Sequence, residues 1–427
     1  MYSRRVYAGL SMSRYIEAGL SDIGTLGEYV AERPNKGFEP ARRRAGVSHT
    51  TVSGPKLAVA VMAVSAVCCP CGCQCVLVTP LSPRSFTLCA HIIDTMNTLV
   101  DGEWRTDAYE TTNEDGAFDR QDTTFRDRVE DDPDARFQPE AGRYHLYACR
   151  ACPWAHRILV ARKLLGLEDA ITVDYVDPFR GEDGWQFTPE KAGCTPDTVN
   201  GSDYLREVYV EADPDATCRV TVPVLWDKQE ETIVNNESEE ILRMLDTEFD
   251  DVSDNDVDLY PEGYQDEVDR IIDDIYEPIN NGVYRSGFAD SQSAYDEAVE
   301  ELFDALDHWD TVLEDQRFLA GDRLTEADIC LFTTLVRFDE VYHTHFMCNH
   351  KLIREYDNLW PYLRDLYQLP GVAETVNMDH ITEHYYTTHP DVSPKRIVPM
   401  GPDPDFEAVH DRDELPGDLP ETLFPTA

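Results

Sequence analysis

The stretch "YHLYACRACPWAHR", residues 144–157, decides the fold. Residues 144–148 alternate as a strand does, and residues 153–165 set Trp154, Ile158, Ala161 and Leu165 at helical spacing before a stop at Gly166. Residues 171–176 are β-branched again, so the three pieces form a βαβ unit. Between the first strand and the helix lie Cys149 and Cys152. Pro153 suits a first helical turn, which sets the Cys152 sulfur against the positive end of the helix dipole and its free N–H groups. That setting is expected to lower the thiol pKa and make Cys152 a nucleophile. Cys149 lies at the strand end, outside that field. In a dithiol redox helix the helix grows from the first cysteine of C-x-x-C; here it grows from the second, and the position three further on is Ala155. The site is therefore read as monothiol. The competing reading makes both cysteines small buried hydrophobes, but it gives no reason for strand, proline and helix to fall in register around one of them.

Outward from this unit the chain keeps a legible order. A long polar excursion runs to about Thr217, then "CRVTVPVLW" (218–226) and "TIV" (232–234) read as two more strands before a helix opening near Glu237. These pieces sum to a small four-stranded domain over residues 144–247. An acidic linker, 248–262, leads into a region of helices only, 263–386. There Val268, Ile271, Ile272, Ile275 and Ile279 make one apolar stripe, and Val299, Leu302, Phe303, Leu306 and Leu313 make another. "LTEADICLF" sets Thr325 three before Asp328, the pattern of a capping box at the start of a buried helix. Residues 96–143 are polar with isolated aromatics at Trp104, Phe118 and Phe125, and read as an arm wrapped over something else. The tail, 387–427, is rich in proline and acid and is expected along the surface.

Charge divides the chain once more. Its 427 residues and 42% apolar content suffice for two cores, but the formal net charge is −46. Ten Lys/Arg stand against six Asp/Glu before Met96, and 27 against 77 from Met96 onward. Nucleic acid and anionic membranes are excluded as partners, since their phosphates would be repelled. A carboxylate-rich surface suits a salt-accumulating cytoplasm, where repulsion is screened within roughly 3 Å at 1 M ionic strength. The apolar run at 57–67 is too short and too broken by proline to span a membrane, and too far from Met1 for a signal peptide. The cysteines at 68, 69, 71, 73 and 75 match none of the usual zinc spacings. Residues 1–95 are expected to be an extension outside the working protein, spurious or disordered, with Met96 as the true start. No metal set and no phosphate loop is read beyond Met96, where His343 and His345 alternate on a helix and so point apart.

Six ordered blocks carry a resemblance: "ACPWAHR" (151–157), "VPVL" (222–225), "NNESEEI" (235–241), "VYRSGFA" (283–289), "LTEADICLFTTLVRFDEVYHTHFMCN" (324–349) and "HYYTTHPDVSPKRIVPMGP" (384–402). Together with the arm "DGAFDRQDTTFRD" (115–127), they resemble the Xi-class glutathione transferases, the glutathionyl-hydroquinone reductases. The resemblance runs from about residue 97 to 403. It implies the glutathione transferase fold, an α/β thioredoxin-like N-terminal domain followed by an all-α C-terminal domain, and a homodimer.

It also implies roles. Cys152 would be the nucleophile, and Pro223, between Val222 and Val224, the cis-proline that presents a backbone edge to the thiol peptide. Glu237 and Ser238 would hold the γ-glutamyl end, and Trp185 would line the same groove. Tyr284, Tyr342 and Tyr385 would surround a hydroquinone and bond its oxygens. The implied reaction needs no bound cofactor: the thiolate attacks the sulfur of an S-glutathionyl hydroquinone, and a second thiol resolves the mixed disulfide. Glutathione and γ-glutamylcysteine share the γ-glutamyl end, so either would serve as co-substrate. Two other readings stand beside this one. An omega-like thioltransferase or dehydroascorbate-type reductase would need the cysteine but not the tyrosines, and a non-catalytic docking module would need neither.

Overall fold

The computed structural model describes residues 95–424 except 111, 114 and 418; the expectation for residues 1–95, including the cysteine cluster, falls almost wholly outside the described residues. A hairpin comes first, β1 (Thr95–Val100) paired antiparallel with β2 (Glu103–Glu110). The main sheet has β3 (Tyr144–Ala148), β4 (Thr172–Tyr175), β5 (Val224–Asp227) and β6 (Thr232–Asn235) in the spatial order β4-β3-β5-β6. Leu146 of β3 lies opposite Val173 in the parallel pair and opposite Leu225 in the antiparallel one. The central strand β3 is buried at every residue, because both faces are covered. Tyr144 and Leu146 join Ile158 of α1 (Pro153–Leu164) and Ile241 of α3 (Ser238–Thr247) in one core. Tyr147 joins Val208 and Tyr209 of α2 (Leu205–Ala212) in another.

Helix α1 starts as its sequence predicts, with Cys152 as N-cap and Pro153 in the first turn. It stops at a true chain reversal: Gly166 has φ +70°, and a Cβ there would also meet the Asp254 side chain at 2.9 Å. The strand expected over 218–226 shrinks to its last part. Cys218 instead bridges Leu99 of the hairpin, and Pro223 has no N–H to offer a ladder. Helix α2, inside the excursion, was not anticipated. Its local signal is Glu207, whose carboxylate accepts the N–H of Tyr204 at the helix start.

The second half is helical: α4 (Gln265–Ile275), α5 (Gly282–Gly287), α6 (Gln292–Val312), α7 (Glu326–Arg337), α8 (His343–His345), α9 (Leu359–Tyr367), α10 (Val372–Thr375) and α11 (Met378–Thr388). π-turns follow α4 at Tyr276–Asn280 and α7 at Phe338–Tyr342. Helix α7 is buried along its whole length and opens on the capping box read from the sequence: Asp328 accepts the Thr325 N–H at 2.8 Å and the Thr325 hydroxyl at 3.0 Å. Its far end clamps the cysteine loop. Arg337 donates to the carbonyl of Ala151 at 2.9 Å and to Nδ1 of His156 at 3.0 Å.

Linker and tail both send side chains inward. In the acidic linker Val257 and Leu259 are buried, and Asp246, in the last turn of α3, accepts the Leu259 N–H at 2.9 Å. The tail also inserts anchors. Arg412 is buried and donates to the carbonyls of Leu313 and Arg317, while Phe406 stacks on Tyr367 at 4.9 Å. Acidic residues hid these anchors because single inward side chains leave no periodic signal.

Candidate active site

Cys152 stands at the start of α1, partly accessible, at the wall of a cavity of about 190 Å³. Its thiol donates to the carbonyl of Val222 at 3.6 Å, and the Val222–Pro223 bond beside it is cis. Burial pushes the Cys152 thiol up, opposing the lowering expected from the helix start. The helix field is present: the N–H of Ala155, the Arg337 guanidinium, the N–H of Trp154 and the Arg120 guanidinium all pull the thiol down. Desolvation outweighs them. Cys149, fully buried, is pushed up further by burial and by the Cys152 sulfur. His156 faces away from the cavity, buried between Arg337 and the Thr375 hydroxyl.

Val222, Pro223, Trp185, Glu237 and Ser238 line the same cavity. Glu237 is the N-cap of α3; its carboxylate accepts the Glu239 N–H at 3.5 Å and the Thr123 hydroxyl at 3.1 Å. The Ser238 hydroxyl leans on the same carboxylate at 3.5 Å. Trp185 stacks on His384 with centroids 5.3 Å apart.

Opposite the sulfur stands a phenol network. The Tyr385 hydroxyl shares hydrogen bonds with Tyr284 at 2.6 Å and Tyr342 at 2.9 Å. Tyr284 and Tyr385 line the cavity, whereas Tyr342 is fully buried behind them and touches both. That corrects the expectation of three tyrosines around one ring. Burial holds all three phenols above the ordinary tyrosine range, so they stand as O–H groups. Two buried imidazoles and the half-buried His389 surround them: burial pushes His384 down to about 3 and His345 to about 4, and desolvation holds His389 well below its usual value. His345 and His389 share a hydrogen bond at 3.1 Å, so the two histidines that bracket the phenols are neutral partners.

The residues that sequence reading missed come partly from within the two domains, Arg180, Arg219 and His384 among them, and partly from outside. The arm supplies Phe118, Arg120 and Thr123 to the lining, and the tail supplies His389. Their signal was the match of the arm block itself, which carried no single catalytic residue type in a telling pattern.

Known proteins resemble this chain along most of its described length. Family models for the glutathione S-transferase N-terminal domain and C-terminal domain match residues 151–248 and 292–365. Glutathionyl-hydroquinone reductase PcpF of Sphingobium chlorophenolicum is 51% identical over 307 residues, covering 72% of this chain and 96% of that protein. Among solved structures, a Xi-class transferase from Natrialba magadii is 74% identical with a TM-score of 0.73, covering 76% of this chain and 99% of that one. The chain belongs to the Xi class of glutathione transferases. Glutathione-bound YqjG of Escherichia coli K-12, 46% identical at a TM-score of 0.68, covers 74% of this chain and 99% of that one. As a Xi-class transferase, the chain has the thioredoxin-like and all-helical halves that its motifs implied. Its arm and tail, outside both matched domains, complete the cavity between them.

Proposed function

We propose that the protein is a glutathionyl-hydroquinone reductase. The observation that carries the reading is the pairing, in one cavity, of a cysteine at a helix start with a tyrosine hydroxyl network, in a chain about half identical to a protein named for this activity. The Cys152 thiolate attacks the sulfur that joins glutathione to the ring. The sulfur-bearing carbon takes a proton, a disulfide forms between Cys152 and glutathione as the carbon–sulfur bond breaks, and the bond's electron pair passes into the ring, restoring the aromatic hydroquinone once its oxygen is protonated. The ring is reduced and the two sulfurs are oxidised. A second glutathione thiolate then attacks the mixed disulfide, releasing glutathione disulfide and restoring the Cys152 thiolate.

Each contact serves a step. The Val222 carbonyl, which accepts the resting thiol's proton, is a backbone edge able to align the incoming peptide, and the N–H groups of Trp154 and Ala155 hold the thiolate once the proton leaves. Glu237 faces the amine and Ser238 the carboxylate of the γ-glutamyl end, with Trp185 against the peptide. Tyr284 and Tyr385 bond the ring oxygens and pass the proton, and Tyr342 supports Tyr385 from behind. Glutathione is the co-substrate we favour, since a relative's structure holds it, and γ-glutamylcysteine is the alternative that shares its γ-glutamyl end.

The working form is proposed as a cytoplasmic homodimer adapted to high salt. No helix among the described residues is long and apolar enough to cross a membrane. Melting should fall on dilution from molar to 0.1 M KCl, as the screening length grows to about 10 Å, and light scattering in molar KCl should report a dimer. The decisive assay compares a glutathionyl hydroquinone with a plain glutathione mixed disulfide, using each thiol. Turnover of both supports the reductase; turnover of the disulfide alone would leave a general thioltransferase.

A further inference from the structure

Arg120 belongs to the arm, yet its side chain reaches the reaction cavity. Its Nε donates to the side-chain oxygen of Asn281 at 3.0 Å, at the start of α5. Its guanidinium carbon lies 4.8 Å from the Trp154 ring, 5.0 Å from the Tyr284 ring and 5.3 Å from Phe118. Trp154 and Tyr284 are themselves stacked, with centroids 6.3 Å apart. The group is thus held against one residue next to the nucleophile and one residue of the phenol network. Its two terminal nitrogens make no hydrogen bond or ion pair among the described residues, although Asp122 and Glu237 line the same cavity. Arg157 offers a contrast. It also packs on Trp154, at 4.5 Å, but is fully buried and bonded to Asn280.

A proton taken by the sulfur-bearing carbon gives the keto tautomer of the ring, in which the carbon–sulfur bond can line up with the conjugated carbonyl. When the thiolate breaks that bond, its electron pair flows through the ring to the oxygen, which becomes a phenolate. The phenols can donate a hydrogen bond or a proton there, but burial keeps them uncharged. A guanidinium stays cationic and offers paired N–H groups in a plane, which suits a phenolate oxygen and remains fixed through the step. We propose that Arg120 is a further catalytic residue of this Xi-class site: its open guanidinium edge binds a hydroquinone oxygen and takes up the charge that arrives as the carbon–sulfur bond breaks. The proposal rests on the hydroquinone reading. It also names the favoured substrates, conjugates of hydroquinones whose ring hydroxyls ionise easily.

Arg120 also acts on the sulfur, since its charge draws the Cys152 thiol down, and the test must separate the two effects. Arg120→Met and Arg120→Lys are compared with the wild type on three readouts: a glutathionyl hydroquinone, a glutathione mixed disulfide, and the pH dependence of Cys152 alkylation by iodoacetamide. Arg120→Met should lose about 100-fold in kcat on the ring conjugate, the scale of one lost oxyanion donor. Its loss on the disulfide should match the smaller change in alkylation rate. Arg120→Lys, which keeps the charge without the planar fork, should recover part of the ring activity and covers the case in which the methionine loosens the arm. Across ring conjugates of rising hydroxyl acidity, Arg120→Met should gain rate more steeply than the wild type, whose guanidinium already carries part of the charge. Equal losses on ring and disulfide would overturn the proposal while leaving the reductase reading intact. A wild type that turns over the disulfide but no ring conjugate would overturn both.

Discussion

The two walls of the cavity are built differently. The sulfur wall is local: Cys152, the Val222–Pro223 edge and the Glu237 cap come from ends of strands and helices in one small sheet domain, and backbone groups do much of its chemistry. The ring wall is assembled from distance. Tyr284 and Tyr385 touch across 101 residues of chain, Arg120 comes from the arm and His389 from the tail, and side chains supply every polar group named there. A wall made of backbone geometry can hold the same γ-glutamyl end for many reactions. A wall made of converging side chains can be changed residue by residue, and on the proposed function it is where specificity would be set.

The largest effect that could break this comparison is at the sulfur. Cys152→Ala should abolish turnover of every substrate, while Cys149→Ala should retain most of it. Cys149 is fully buried and does not line the cavity that Cys152 lines, so a substrate sulfur has no path to it. Activity assays with mass analysis of the trapped intermediate decide the matter. A dead Cys149 variant, or a Cys149–Cys152 disulfide during turnover, would overturn the monothiol mechanism.

Legibility follows the same division. Strand β3, the proline-started helix and the capping box at Thr325 could be read because their signals are short-range and periodic. Helix α2 was missed: eight residues in a polar stretch bury only Leu205, Val208 and Tyr209, too few to mark a face. The direction of the Cys152 shift was missed for another reason. The helix start is visible in sequence, but the walls that remove water from the sulfur are brought by the fold. Tyrosines at 284, 342 and 385 carry no local pattern at all; only resemblance singled them out, and only the structure separates Tyr342, which stands behind the others.

That separation gives the next effect in size. Tyr385→Phe removes the hydroxyl bonded to both neighbours, so ring turnover should fall by about 10²-fold, the low end for loss of a general acid. Tyr342→Phe removes one supporting bond, worth about 0.5–1.5 kcal/mol, and should cost about 2- to 10-fold. Neither change should alter turnover of a plain mixed disulfide, which needs no ring wall. Parallel assays of both substrates provide the check, and equal losses on both would mean that the phenols only support the fold.

The smallest effect lies at the seam, where α3 of the sulfur wall meets the chain leading to the helices. Asp246 is 6% exposed and accepts the Leu259 N–H at 2.9 Å, and burial raises its carboxyl to about 7. An acid raised in the folded state keeps a proton that the unfolded chain, with an ordinary value of 3.8, has already lost. Stability is therefore greatest below about pH 4, falls as pH rises toward 7, and carries the full cost above it, at most about 4 kcal/mol. Asp246→Asn keeps the acceptor oxygen but cannot ionise. Its melting temperature should match the wild type near pH 4 and exceed it by several degrees at pH 8, with ring and disulfide turnover both unchanged. A gain of the same size at both pH values would assign the effect to packing instead of charge. A shift in the ratio of ring to disulfide turnover would show that the seam does not isolate the two walls as their separate construction implies.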